Sequence, residues 1–119
     1  MTTESTPISF QKTVLGTACK VCLQGSLCDD GIADARKMFT DLLESGTKTV
    51  GVEMSGVDYI SSAGIGMLVS VLKRCQQDRV KLALIALNDD IRELFTLTRL
   101  DQVFVIVPSV QSWETALKR

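Results

Sequence analysis

The sequence predicts an α/β domain built on a mixed β-sheet, with an N-terminal hairpin, then alternating helices and strands, and helices mainly on one face. Three observations lead there. Two β-like runs open the chain around a tight turn. After them, stretches with helical apolar spacing alternate with short, nearly continuous apolar stretches of strand length. The chain has 119 residues, 45% of them hydrophobic, which suits one core and a single main helical layer.

The elements follow in order. Residues 1–7 read as a flexible tail, and residues 8–119 as one domain. Ile8 to Val14 alternates loosely as a first strand, Leu15-Gly16-Thr17 is a turn, and Ala18 to Leu23 is the returning strand. Gly25 to Gly31 reads as a loop, in which Asp29 and Asp30 supply helix-start chemistry. Ile32, Ala35, Phe39, Leu42 and Leu43 recur at helical spacing, and Gly46 suits the position just past the helix end. Thr49 to Met54 is the third strand, apolar without alternation, as expected when both faces are covered. The second helix turns Ile65, Leu68, Val69, Leu72 and Cys75 inward and Lys73, Arg74, Gln76 and Gln77 toward water. Val80 to Leu87 is the fourth strand. Asn88-Asp89-Asp90 starts a third helix burying Ile91, Leu94 and Phe95. Val103 to Val107 is the fifth strand, and Pro108-Ser109 leads to a last helix with Val110, Trp113, Ala116 and Leu117 inside.

Composition narrows the function classes. The formal net charge is −1, with acids and bases interspersed and no basic face, so no nucleic-acid partner is expected. No apolar run reaches membrane-spanning length, and the N-terminus lacks the basic and apolar regions of a signal peptide. Neither membrane insertion nor export is expected, and a cytoplasmic monomer is. Cys19 and Cys22 have the CxxC spacing of redox and zinc motifs. On a strand, however, residues three apart point to opposite faces. There is no second such pair and no histidine, so a zinc site would need Cys28 and Cys75 from afar. The thiols read as small core residues, and no metal or cofactor is expected.

The segment that carries chemistry is Asp58-Tyr59-Ile60-Ser61-Ser62-Ala63-Gly64-Ile65-Gly66. It hands a strand through a short loop to a helix opened by two serines and two glycines. A serine there can cap the helix, hold an anion through neighbouring amides, or itself become a phosphate. An enzymatic reading would make Ser62 a nucleophile, but such a serine needs a base within reach. With no histidine, only carboxylates or lysines remain, and no catalytic residues are expected. Lys118-Arg119 reads as solvated helix surface.

Val57-Asp58-Tyr59-Ile60-Ser61-Ser62-Ala63-Gly64-Ile65-Gly66-Met67-Leu68 resembles the signature of the STAS domain, the module of bacterial anti-sigma factor antagonists. Val21 to Leu27 is similar to that family's second strand and following turn, and Ala83 to Phe95 to its fourth strand and third helix. Thr98-Arg99-Leu100 with Val103-Phe104 is similar to the approach to its last strand. The resemblance runs from about Ile8 to Leu117. It implies a STAS-like sheet and a regulatory switch. The unphosphorylated form would bind a partner serine protein kinase that often doubles as an anti-sigma factor. Phosphorylation of the motif serine would release the partner, and a metal-dependent serine phosphatase would reset the cycle.

Aligned on Gly64, the modified position is Ser62, with Ser61 as the alternative acceptor. The chain departs from the family twice. Ser61 stands where many members have aspartate, and Cys28, beside Asp29 and Asp30, stands where many have an aspartate after the second strand. The expected partner-binding surface comprises Ser26, Cys28, Asp29, Asp30, Tyr59, Ser61, Ser62, Ala63 and Gly64, continued along the helix by Met67, Ser70, Val71 and Arg74. The same fold also serves in lipid-transport, stress-sensing and anion-transporter assemblies, so a non-phosphorylated scaffold or accessory subunit is the rival reading.

Overall fold

The computed structural model describes residues 7–117. The expected N-terminal tail therefore lies outside the described residues except for Pro7, as does the pair Lys118-Arg119. Five strands, β1 (Ser9–Leu15), β2 (Ala18–Leu27), β3 (Thr49–Ile60), β4 (Lys81–Ile85) and β5 (Val105–Val107), form one sheet in the order β1-β2-β3-β4-β5. The helices are α1 (Asp30–Glu44), α2 (Ser62–Gln77), α3 (Asp89–Leu97) and α4 (Val110–Leu117), with a single 3-10 turn over Leu100–Gln102. β1 and β2 are an antiparallel hairpin, and every later pairing is parallel. This is the mixed sheet the sequence predicts.

The topology explains where the helices lie. Each parallel crossover joins neighbouring strands and advances in one direction along the sheet. In the right-handed sense such units adopt, all the connecting helices then fall on the same face. The main core lies under them. Val21 and Leu23 of β2, Val50, Val52 and Met54 of β3, and Leu84 of β4 meet Phe39, Leu68, Cys75 and Phe95 from α1, α2 and α3. Phe95 also packs on Phe104, ring centroids 5.7 Å apart.

The other face holds a smaller cluster in which Trp113 of α4 meets Ala18, Ala83 and Ile85. Gly51 makes this possible. A Cβ there would lie 2.5 Å from Trp113 Cε2 and 2.8 Å from Ile85 Cδ1, so the indole rests directly on the backbone of the central strand. Farther along this face Lys20 and Glu53 pair across β2 and β3 at 3.5 Å. Among the described residues no helix is long and apolar enough to cross a membrane.

The structure corrects several boundaries. β2 continues to Leu27 and β3 to Ile60, well past Leu23 and Met54, so much of the expected loop on each side is strand. Irregular register between Cys22 and Gln24 and between Gly25 and Ser26 accounts for this. Bulges keep two strands paired through residues whose local pattern reads as a turn. β4 is shorter than expected, and β5 has only three residues. Asp29 does not cap α1. It sits at φ 53° with no side-chain hydrogen bond to the helix, and Asp30 is already the first helical residue. Ala116 faces solvent rather than the core.

Trp113 is the chain's only tryptophan, so its emission reports the seating of α4. Gly51→Ala should push the indole off the sheet. The expected outcome is a red-shifted emission and a loss of about 1–3 kcal/mol in denaturant unfolding.

Candidate functional site

β2 and β3 run on together after β4 has ended. β4 pairs with β3 only from Thr49 to Glu53, whereas β2 follows β3 to Ile60. The serine segment thus stands at the tip of a two-stranded ribbon. Two polar contacts brace it. The buried Ser26 hydroxyl donates to Asp58 Oδ1 at 2.7 Å. On the other edge the Asn88 side chain donates to the Val57 carbonyl at 2.7 Å and accepts from the Ile91 amide at 2.9 Å, which also caps α3.

Ser61 ends the ribbon and caps α2. Its backbone is extended, and its Oγ accepts from the Gly64 amide at 3.0 Å. Its own amide donates to the Leu27 carbonyl at 3.1 Å, and its hydroxyl donates to the same oxygen at 3.4 Å. That oxygen also dictates Gly64. A Cβ there would lie 2.5 Å from the Leu27 oxygen and 3.0 Å from Ile60 Cγ1. Only a residue without a side chain lets the first turn of α2 approach the end of β2 this closely.

The two serines therefore differ. Ser61 is half-buried and spends its hydroxyl on structure. Ser62, the first helical residue, is exposed and makes no side-chain hydrogen bond among the described residues. Its backbone amide belongs to the first turn, where the helix dipole favours added negative charge, and no acidic side chain occupies that turn.

The expected partner surface divides in the same way. Tyr59, Ser62, Ala63, Asp29, Asp30 and Ser70 are exposed, and Arg74 is half-exposed. Ser26, Cys28 and Gly64 are buried. Met67 and Val71, expected beside the serine on the surface, are core residues at 0% and 7% exposure. The buried stripe of α2 is Gly64, Met67, Leu68, Val71, Leu72 and Cys75, because α1 packs against that side. Arg74 is engaged by Asp78 at 3.2 Å and approaches Glu44 at 3.9 Å.

What the sequence reading missed lies on α1. An open groove of about 880 Å3 runs between α1 and the start of α2, walled by Ile32, Ala33, Arg36 and Lys37 on one side and Tyr59, Ser61, Ser62 and Ala63 on the other, with Asp29 at the turn into α1. Positions 33, 36 and 37 share one helix face at i, i+3 and i+4 spacing. That spacing was the available signal, but only the packing of α1 on α2 brings the face to the serines.

The cysteines separate as their strand spacing requires. Cys19 is buried in the main core, and Cys22 is half-buried beside Glu53 on the opposite face. Burial raises both thiols above their ordinary pKa, and Cys75 is pushed up to about 11 by burial and the nearby Asp78 carboxylate.

Comparison with known proteins agrees with this architecture. A family model described as the STAS domain matches residues 9–113. BtrV of Bordetella bronchiseptica, provisionally named an anti-sigma factor antagonist, is 29% identical over 100 residues, covering 82% of this chain and 84% of that protein. The anti-sigma-B factor antagonist of Staphylococcus aureus is 26% identical over 93 residues, covering 78% and 86%. Among solved structures, the anti-sigma factor antagonist SpoIIAA in its unphosphorylated form superposes with a TM-score of 0.79 at 13% identity, covering 92% of this chain and 96% of that one. The phosphorylated form of SpoIIAA, from Bacillus, gives 0.73 at 14% identity, covering 92% and 99%.

The capping role of Ser61 is open to direct measurement. Ser61→Ala removes the acceptor of the Gly64 amide and should cost about 1 kcal/mol of unfolding free energy. Ser62→Ala should change stability by no more than about 0.5 kcal/mol. Parallel urea titrations check both.

Proposed function

The chain belongs to the STAS domain family, and from that membership we propose that it works as a phosphorylation-controlled anti-sigma factor antagonist, with Ser62 as the modified residue. In its unmodified form it binds an anti-sigma factor that is also a serine protein kinase, and so frees what that partner holds. Transfer of a phosphate to Ser62 releases the partner, and a metal-dependent serine phosphatase restores the binding form. The protein acts in this scheme as a cytoplasmic monomer, with one domain over residues 8–119 and no chemistry of its own.

The observation that carries the reading is the division of labour between the two serines. The Ser61 hydroxyl is committed to the Leu27 carbonyl and the Gly64 amide, while that of Ser62 is exposed at a helix start and beside a groove. Ser61, the alternative acceptor, would have to surrender its cap to be modified. The names of the relatives and the two solved states of SpoIIAA lend the reading further support.

The energetics favour a switch that leaves the fold intact. A phosphoserine adds roughly −1.5 to −2 charge, and at the first turn of a helix such charge is favoured by about 0.3–1 kcal/mol. The effect falls instead on whatever packs on the same surface. A tenfold to hundredfold loss of affinity needs only about 1.4–2.8 kcal/mol, which a desolvated, unmatched dianion in an interface readily supplies. The contact surface under this reading is the groove with its rim, formed by Tyr59, Ser62, Ala63, Asp29 and the exposed face of α1, and continued by Ser70. Met67 and Val71 act from beneath as support.

Incubation with the cognate kinase and ATP should add the mass of one phosphate, and Ser62→Ala should abolish the gain while Ser61→Ala, if folded, retains it. Ser62→Ala should still bind the kinase, and Ser62→Asp should bind it at least tenfold more weakly. No mass gain would favour the scaffold reading, and equal affinity of the two variants would remove the switch.

A further inference from the structure

We infer that, once Ser62 carries a phosphate, Arg36 of α1 clasps it across the groove, so that the modified protein closes its own binding surface with an internal phosphate–guanidinium pair. The inference rests on Ser62 being the modified residue and concerns what the chain then does with the new charge. Arg36 and Ser62 line opposite walls of one groove. Arg36 also borders the adjoining cleft between α1 and α2, together with Met67 and Ser70, which places it on the seam facing α2.

The charge inventory singles out this residue. Lys37 is held by Asp41 at 3.0 Å, and Arg74 by Asp78 at 3.2 Å. Arg36 makes no ion pair and no side-chain hydrogen bond among the described residues, so capturing a phosphate breaks no existing contact. The opposing groups are few. The first turn of α2 carries no acid, and the remaining ionisable groups of the groove are Asp29 and the Tyr59 phenol. A guanidinium meets phosphate oxygens with two parallel N–H donors, an arrangement a lysine does not offer. The phosphate is delivered by a covalent bond to Ser62, so its location does not depend on the helix end selecting a free ion.

Two consequences follow from the pair. The dianion and guanidinium together span the groove, so a partner meets an occupied cleft as well as an unfavourable charge. The phosphate is also partly shielded from enzymes that would remove it.

Phosphoserine installed at position 62 by codon reassignment tests this without any kinase. The second ionisation of a phosphoserine lies near pH 6, and a neighbouring cation favours the dianion and lowers that value. In 31P NMR titrations the parent midpoint should fall about half a unit below that of Arg36→Gln, with Lys37→Gln moving it less. Alkaline phosphatase should release phosphate from Arg36→Gln roughly threefold faster than from the parent. Equal midpoints and equal rates would overturn the pairing, and a larger shift for Lys37→Gln would assign it to the wrong residue. Arg36 is exposed, so unmodified Arg36→Gln should melt with the parent. Equal midpoints and rates sink the clasp and leave the switch standing; failure of the kinase to modify Ser62 sinks the switch and leaves this result untouched.

Discussion

The carbonyl oxygen of Leu27 sets the position of everything at the site. It receives both the amide and the hydroxyl of Ser61, and it stands where a side chain at position 64 would otherwise go. Three independent features of the sequence, a serine cap, a glycine three residues later and a strand long enough to reach them, thus converge on one acceptor. A buried carbonyl needs a partner, and here the partner is the residue that starts α2. The direction in which that helix leaves the sheet, and so the exposure of Ser62, follows from satisfying that one group. The ribbon carrying it projects beyond β4 and has no third strand to stiffen it, which is why the Ser26–Asp58 and Asn88–Val57 contacts matter.

The amino-acid pattern revealed the architecture well and the site in part. The hairpin, the alternation and the serine-bearing helix start are local features, carried by turn chemistry and apolar period, and they hold in the structure. Strand length was the weaker part. Gly25 and Gly56 look like punctuation, yet both lie inside paired strands, because bulges absorb irregularity that single-strand reading takes for a loop. On α2 the periodic residues admit two neighbouring phases. The stripe read from the sequence holds, with Leu68, Leu72 and Cys75 buried and Ile65 and Val69 partly buried against the core, but α1 packs where it buries Met67 and Val71 as well. Arg36 and Lys37 carried no signal in isolation, since a cation on a helix is ordinary surface until another element is brought beside it.

The two departures from the family pattern have a common electrostatic sense. A neutral Ser61 caps α2 where many members have an aspartate, and Cys28 fills a buried place where many have another. With no acid on its first turn, the positive end of α2 remains uncompensated by its own side chains. A charge arriving at Ser62 therefore meets attraction from the helix and from α1, with Asp29 as the opposing carboxylate of the groove. Under the proposed switch, the modified state would be accommodated by the same geometry that holds the unmodified one, which suits a cycle in which both must persist.

The side chain of Asn88 grips two elements with one amide group, its nitrogen on the Val57 carbonyl and its oxygen on the Ile91 amide. Neither grip can be released without disturbing the other. The start of α3 and the flank of the β2–β3 ribbon therefore open as a single cooperative unit, tied to the deepest part of the core through Ile91 and Phe95. The serine tip is thus anchored from behind, through α3, to the same core on which α1 rests from the opposite bank.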